Sequence, residues 1–238
     1  MIDFHCHLLF GVDDGPESID ESIEMAAALR DVGFTSVYCT PHFLRGCYEA
    51  DAQAIRSTVS DLQSRLDEEN INIELLYGRE YYLDEFFDNI LKDPVPLSNT
   101  KYLMIEIPNN MSAEFVKDAL FRIKCGGFIP MIAHPERCRL FNVDHKKKKS
   151  RLWYPGQKRR KTNSTEEGNG LILYLQDIGC AFQGNLGSFG GLYGPEVKQT
   201  ANQLMEQGLF THFGTDSHSM RSITYLKIST HWRSLLKA

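Results

Sequence analysis

The chain has 238 residues, 42% hydrophobic and 24% charged, with a formal net charge of -5; that is enough for one barrel or doubly wound domain with a substantial core. No apolar run approaches the roughly 20 residues that span a bilayer, and the start lacks the basic-then-apolar layout of a signal peptide. The expectation is therefore a cytoplasmic chain folded as a single domain over residues 1–238. Six cysteines without a CxxC spacing fit reduced thiols better than a disulfide framework or a zinc ribbon.

Taken in order, the residues read as a run of strand-then-helix units. Met1-Ile2-Asp3-Phe4-His5-Cys6-His7 alternates apolar and polar residues, so a strand there turns His5 and His7 to one face. Ser18 with Glu21 marks a capping box, and Ile19, Ile23, Ala26, Ala27, Leu29 and Arg30 form the buried stripe of a helix that Gly33 ends. A second strand, Thr35 to Thr40, stops at Pro41-His42, and a second helix from Ala52 to Asp67 steps through Ile55, Val59, Leu62 and Leu66. The third strand, Ile71 to Tyr77, ends in Gly78-Arg79-Glu80, and Tyr82 to Leu91 reads as a short helix. The fourth, Tyr102 to Pro108, is apolar except for Glu106, as in strands buried on both faces. Ser112 caps a third helix, and a fifth strand, Phe128 to Ala133, delivers His134-Pro135-Glu136-Arg137.

The rhythm breaks at about 143–170, which is polar and basic. Residues 146–161 carry 9 of the 26 Lys and Arg and no acid, so the rest of the chain is strongly acidic. A short helical piece, Leu171 to Ile178, resumes the pattern. The sixth strand is Cys180 to Gly184, a Gly-rich loop and a helix with Pro195 near its first turn follow, and a seventh strand, Leu209 to Phe213, runs into Asp216-Ser217-His218. Ile223 to Leu236 reads as the last helix.

Parallel strands joined by helices point their C-terminal ends to one side, where barrel enzymes place their chemistry. At those ends stand His5 and His7, His42, Glu80, Glu106, His134, Asp216 and His218, so six of seven strands end in His, Asp or Glu. Such groups converging on one mouth repel unless cations neutralise them. The pattern points to a multi-metal site.

HxH at the first strand, TPH at the second, the GxE-type end of the third, AHPER and DxH resemble the polymerase-and-histidinol-phosphatase (PHP) superfamily. Within it, FHCHLLFGVDDGPESIDESIEMA, Tyr81-Tyr82-Leu83 after Glu80, IAHPER and GTDSH are similar to the bacterial manganese-dependent protein-tyrosine phosphatases of capsule and exopolysaccharide operons. The resemblance covers nearly the whole chain outside 143–170. It implies a distorted seven-stranded α/β barrel, (β/α)7 and TIM-like, with the active site at the C-terminal strand ends.

It also implies that His5, His7 and Asp216 hold one metal, that Glu80 bridges it to a second held by Glu106 and His134, and that His42 and His218 hold a third with Asp14 beside them. Mn2+ is the implied cofactor, while the mixed His and carboxylate set also suits Fe or Zn. Phosphotyrosine would be hydrolysed by a metal-bound hydroxide. Arg137 and Arg221 would bind the phosphate, although the family's second Arg lies slightly further from the DxH motif than Arg221 does. The implied partner is a membrane-associated bacterial tyrosine kinase controlling polysaccharide export.

Other readings compete with this one. Another PHP phosphoesterase, of the histidinol-phosphatase or nuclease type, would use the same ligands, and a non-catalytic regulatory barrel would bind through its basic loop. Residues 146–161, with Trp153 and Tyr154 interleaved, suit a solvated loop or capture of an anionic membrane surface or acidic tail, whereas the acidic body disfavours nucleic acid. Cys39 to Arg45 fits the Cys-x5-Arg loop of thiol-dependent tyrosine phosphatases. Pro41 lacks the N–H that such a phosphate wrap needs, and Phe43 and Leu44 crowd it. His212 reads as an interior, hydrogen-bonded histidine, His145 and His231 as solvated, and Asp3 as either a ligand's orienting partner or a buried structural acid.

Overall fold

Ser18 and Gly33 bound the first helix as the capping pattern predicts. In the structure, a computed structural model that describes residues 1–142, 164–229, 232, 233 and 235, α1 spans Ile19–Val32. Ser18 accepts from Glu21 N, but the Glu21 carboxylate reaches back to Glu17 N at 2.8 Å, one residue before the expected partner. Its buried face holds Ser22, Ile23, Met25, Ala26, Ala28, Leu29 and Val32, while Ile19, Ala27 and Arg30 are only half-buried. The face is therefore rotated from the expected stripe. α2 (Ala52–Glu68) is capped by Asp51 and buries the expected Ile55, Val59, Leu62 and Leu66. α3 (Ala113–Cys125) is capped by Ser112. Caps of this kind contribute about 1 kcal/mol each.

The strands are all parallel but fall into two sheets. One has β1 (Ile2–Cys6), β2 (Ser36–Cys39) and β4 (Glu74–Tyr77) in the order β1-β2-β4. The other joins β3 (His42–Phe43), β5 (Glu80–Tyr82), β6 (Tyr102–Glu106), β7 (Ile129–Ala133), β8 (Ala181–Asn185) and β9 (His212–Gly214) in the order β3-β5-β6-β7-β8-β9. The seven expected strands have become nine segments because the second and third are each broken. Pro41 has no N–H to continue the second. Gly78 breaks the third where the chain presses on Leu97; a Cβ there would lie 2.4 Å from the Leu97 side chain. Hydrogen bonds from Gly78 N to Cys39 O and from Glu80 N to Pro41 O carry the pairing across both breaks.

Among the described residues no ladder joins β1 to β9. Their seam is held by Asp216 N donating to His5 O at 2.7 Å, His7 N donating to Ser217 O at 3.0 Å, and a bridge between Cys6 and Ser217. Gly214 permits this approach, since a Cβ there would stand 2.5 Å from the Cβ of His5. The predicted helix over Tyr82 to Leu91 is not formed; Tyr82 ends β5, and a 3-10 turn covers Phe87–Lys92.

Among the described residues the remaining helices are α4 (Ser164–Asp177), which begins before the expected Leu171, α5 (Leu186–Gly190) inside the Gly-rich loop, α6 (Pro195–Glu206) and α7 (Met220–Ile228). His145, His231 and the basic segment 146–161 lie outside the described residues.

Helices cover the sheets on apolar clusters, one under α1, α2 and α7 and another under α3, α4 and α6. A third cluster gathers Tyr38, Met104, Met131, Ala133 and Ala181, with Phe4 and Leu76 against it. Each of Phe4, Tyr38, Leu76, Met104 and Met131 precedes a candidate site residue along its own strand path. This cluster is the floor beneath the strand ends.

Candidate metal centre

The strand ends bring His5, His7, His42, Glu80, Glu106, His134, Asp216 and His218 together, with Asp14 reaching in from the loop after β1. Two of these residues sit at left-handed backbone angles, His134 at φ 31° and Asp216 at φ 50°. Strain of this kind costs of order 1–3 kcal/mol and gathers where a side chain must be aimed. Asp3 stabilises the second turn: it is fully buried and accepts from Thr215 N, Thr215 Oγ1 and His5 N. It thus fixes the backbones that carry His5 and Asp216 through His5 N and the adjacent Thr215.

Glu80 is the hub. Its Oε2 lies 3.1 Å from His5 Nε2, 3.2 Å from His7 Nε2 and 3.0 Å from His42 Nδ1, and its Oε1 lies 3.0 Å from His134 Nε2. Asp216 Oδ1 faces His5 and His7 at 3.4 and 3.3 Å. Three groups have donor atoms close enough to share a cation: His5, His7, Glu80 and Asp216; His42, Glu80 and Glu106; and His7, Asp14, His42 and His218. Relative to the implied partition, His7 and His42 each border two groups, and His134 approaches through Glu80.

The donor set fits divalent cations. Gln183 Nε2 donates to Gly184 O, which turns Gln183 Oε1 toward His5 Nδ1 at 2.8 Å, and Asp13 Oδ2 faces His7 Nδ1 at 2.7 Å. Both Nδ1 atoms therefore carry protons, which aims both Nε2 atoms, 3.1 Å apart, into the site, where each offers a lone pair to a cation once its own proton has left. The three nitrogens around Glu80 Oε2 do not meet it at hydrogen-bonding angles, so this fully buried oxygen has no hydrogen-bond donor. Imidazole nitrogens converging on an orphaned carboxylate oxygen require positive charge between them, supplied by protons on the rings or by cations that replace those protons.

The ionisation balance agrees. Burial opposes charge on Glu80, yet His5, His134 and His42 hold its carboxyl well below the usual range, and His5, His7 and Arg137 do the same for Asp216. Burial pulls His5 down, but Glu80 and Asp216 override it and push its pKa up to about 9. Glu106 moves the other way, raised by burial and by the charge of Glu80.

Arg137 stands at the rim of the cluster, paired with Asp216 Oδ2 and with its guanidinium carbon 4.6 Å from the centre of the Tyr193 ring. Arg221 is exposed in the first turn of α7 and does not line the cavity that holds Arg137 and His218. His212 is half-buried rather than interior; it bonds Thr211 and packs edge-on against Phe4 and Tyr102, outside the cluster. Cys39 is fully buried with its thiol pKa pushed up by burial, and Arg45 lies 4.1 Å over the Phe86 ring, so the Cys-x5-Arg pair forms no phosphate cradle.

Several residues of the site escaped sequence reasoning. Asp13, which adjoins the predicted Asp14, accepts from His7, His42 N and Gly15 N. β8, whose expected strand lacks a His, Asp or Glu end, supplies Gln183 and Asn185; the Asn185 amide donates to Asp216 Oδ2 and Tyr193 Oη. Their signal was an alternation of Gln and Asn inside an otherwise apolar strand. Tyr193, in the Gly-rich loop, gave none.

Comparison with known proteins matches this geometry to one family. A family model described as capsular polysaccharide synthesis, CpsB/CapC, matches residues 1–158. The tyrosine-protein phosphatase YwqE of Bacillus subtilis is 30% identical over 224 residues, covering 93% of this chain and 79% of its own. A crystal structure from work on YwqE of Bacillus subtilis and CpsB of Streptococcus pneumoniae, reported as metal-dependent tyrosine phosphatases, superposes with a TM-score of 0.77 at 26% identity, over 100% of this chain and 91% of that one. The histidinol phosphate phosphatase of Lactococcus lactis shares the fold, with a TM-score of 0.56 at 15% identity over 95% of this chain and 91% of that one. The chain belongs to the CpsB/CapC family of capsular polysaccharide synthesis proteins.

Proposed function

We propose that this chain is a metal-dependent protein-tyrosine phosphatase acting through a three-cation centre built on a seven-unit barrel, with Mn2+ as the cation. The carrying observation is the convergence of three imidazoles on the orphaned Glu80 Oε2 with the Arg137 guanidinium at the rim. Family membership and the names of the relatives support the same reading.

In this reading His5, His7, Asp216 and Glu80 hold one cation, Glu80, Glu106, His134 and His42 a second, and His42, His218, His7 and Asp14 surround a third. Bound divalent cations lower the pKa of water and neutralise phosphoryl oxygens. The chain's own contribution is to orient and to shield. Asp13 and Gln183 fix the tautomers of His7 and His5, and Arg137, steadied by Asp216 and Tyr193, offers the planar fork that matches two phosphate oxygens. Arg221 enters as a second, peripheral cation for the substrate.

The substrate is then a phosphotyrosine-bearing protein at the cytoplasmic membrane surface, a bacterial tyrosine kinase of the capsule machinery, with residues 146–161 supplying electrostatic attraction. Purified protein with Mn2+, offered a phosphotyrosine peptide, histidinol phosphate and a DNA oligonucleotide, tests the reading; the peptide is turned over fastest. Turnover dominated by either other substrate reassigns the enzyme within its superfamily. No turnover with metal demonstrably bound identifies a regulatory barrel instead.

A further inference from the structure

We infer that Tyr82 is the specificity-determining wall of an aryl subsite, a groove that seats the aromatic ring of the phosphate ester; this rests on the phosphatase reading above. Two cavities share the wall formed by Glu106, His134 and Arg137. The smaller, about 290 Å³, holds the face of the metal cluster that carries His42, Asp216 and His218. The larger, about 460 Å³, leads from that shared wall past Tyr82 toward Asn109 and Asn110.

Strand geometry places Tyr82 at the right height. Side chains two residues apart on β5 share a face, so Tyr82 stands on the Glu80 side, about 7 Å further toward the mouth. Tyr81, between them, points into the opposite core, where its hydroxyl accepts from Val95 N. Tyr82 is the register partner of Glu106, so its half-buried ring borders the point where an ester group would leave the cations.

The rest of the groove suits an aromatic group carried on a peptide. Its floor is the buried Ile107, Pro108 and Cys138, an apolar surface. Its exposed rim is two carboxamides, and Asn109 Oδ1 accepts from Arg139 N at 2.8 Å, which turns its amide away as a donor. Asp14, Glu17, Glu21 and Glu24 make the cavity on the opposite flank of the cluster acidic; Met25 and Met220 give it apolar surface, but no Tyr, Phe or Trp lines it among the described residues. On the Tyr82 side an aryl ester finds a tyrosine ring to pack against, a buried apolar floor and one lining carboxylate, Glu106, against four on the opposite flank.

Calorimetric titration of the Mn2+-loaded protein with phenylphosphonate and methylphosphonate tests this without turnover. The wild type is expected to bind the phenyl compound about tenfold more tightly, equivalent to about 1.4 kcal/mol. Tyr82→Ala should bring that ratio close to one and Tyr82→Phe should preserve it, with metal content measured in each. Asn110→Trp, an exposed change that fills the groove from its rim, should also lower the ratio. A ratio near one in the wild type, or an undiminished ratio in both Tyr82→Ala and Asn110→Trp, overturns the aryl subsite while leaving the phosphatase reading intact. Failure of both phosphonates to bind the loaded protein removes the two together.

Discussion

His7 Nδ1 donates to Asp13 Oδ2 at 2.7 Å, and that carboxylate also accepts the backbone N–H groups of His42 and Gly15. One buried acid thus sets the tautomer of one imidazole and the backbone position of another. An asparagine of the same shape would set an amide N–H against at least one of these three donors. Asp13→Asn is expected to weaken Mn2+ binding by about 10–100-fold, the usual effect of removing a ligand's hydrogen-bond partner. Titration of the metal-free protein measures it; an unchanged affinity would show that Asp13 serves only the loop.

The pH dependence of metal binding follows from the same cluster. His5 is held protonated up to about 9 by Glu80 and Asp216 despite its burial. Below that pH an incoming cation must displace a proton from the imidazole, and above it the lone pair is free. Glu80 and Asp216 remain ionised, since their carboxyls lie well below the usual range. The apparent Mn2+ affinity should therefore climb as the pH rises toward about 9, with proton release on binding, and His7, whose pKa burial lowers but Asp13, Asp216 and Glu80 override and raise, adds to that release. Calorimetry in buffers of different ionisation enthalpy reads the protons directly. Binding without proton release across that range contradicts the arrangement.

The histidines and acids were legible because parallel strands deliver their last residues to one end, and a His or Glu in an apolar run is conspicuous. What was not legible comes from contacts without a local period. Asp13 and Asp14 are adjacent acids in one turn; only the fold decides that Asp13 turns under His7 while Asp14 stays 49% exposed beside His218. Gln183 and Asn185 are neutral, so the charge pattern that exposed the other strand ends passed them by. The helix expected over Tyr82 to Leu91 failed because pairing with β6 extends β5 through Tyr82, a tertiary contact that overrides local propensity. The breaks at Pro41 and Gly78 have local causes, yet the division into two sheets follows only from how the strands pair across the fold.

Thiol chemistry and metal chemistry make opposite predictions for one variant. Cys39 packs in the core under α1 and α2, and Arg45 is occupied with Phe86. Cys39→Ala is expected to cost about 1 kcal/mol of packing and to leave phosphotyrosine turnover within a factor of about two. EDTA should abolish turnover, and added Mn2+ should restore it. Loss of activity in Cys39→Ala with normal metal content, or full activity in EDTA, would transfer the chemistry to the thiol.

Arg137 has a geometry that a lysine ammonium cannot match. Asp216 takes one nitrogen of the guanidinium and the Tyr193 ring steadies its plane, while the side chain lines the cavity shared with His42 and His218. A lysine keeps the charge but offers a point donor. Hydrogen bonds to charged groups contribute about 1.5–3 kcal/mol, so Arg137→Lys should lower kcat/KM on a phosphotyrosine peptide by about 10–100-fold. Arg221→Lys, exposed on α7 and outside that cavity, should lose far less. Steady-state kinetics on both variants, with metal content measured alongside, decide the matter. Equal losses would place both guanidinium groups on the phosphate, and no loss in Arg137→Lys would take Arg137 out of substrate binding altogether.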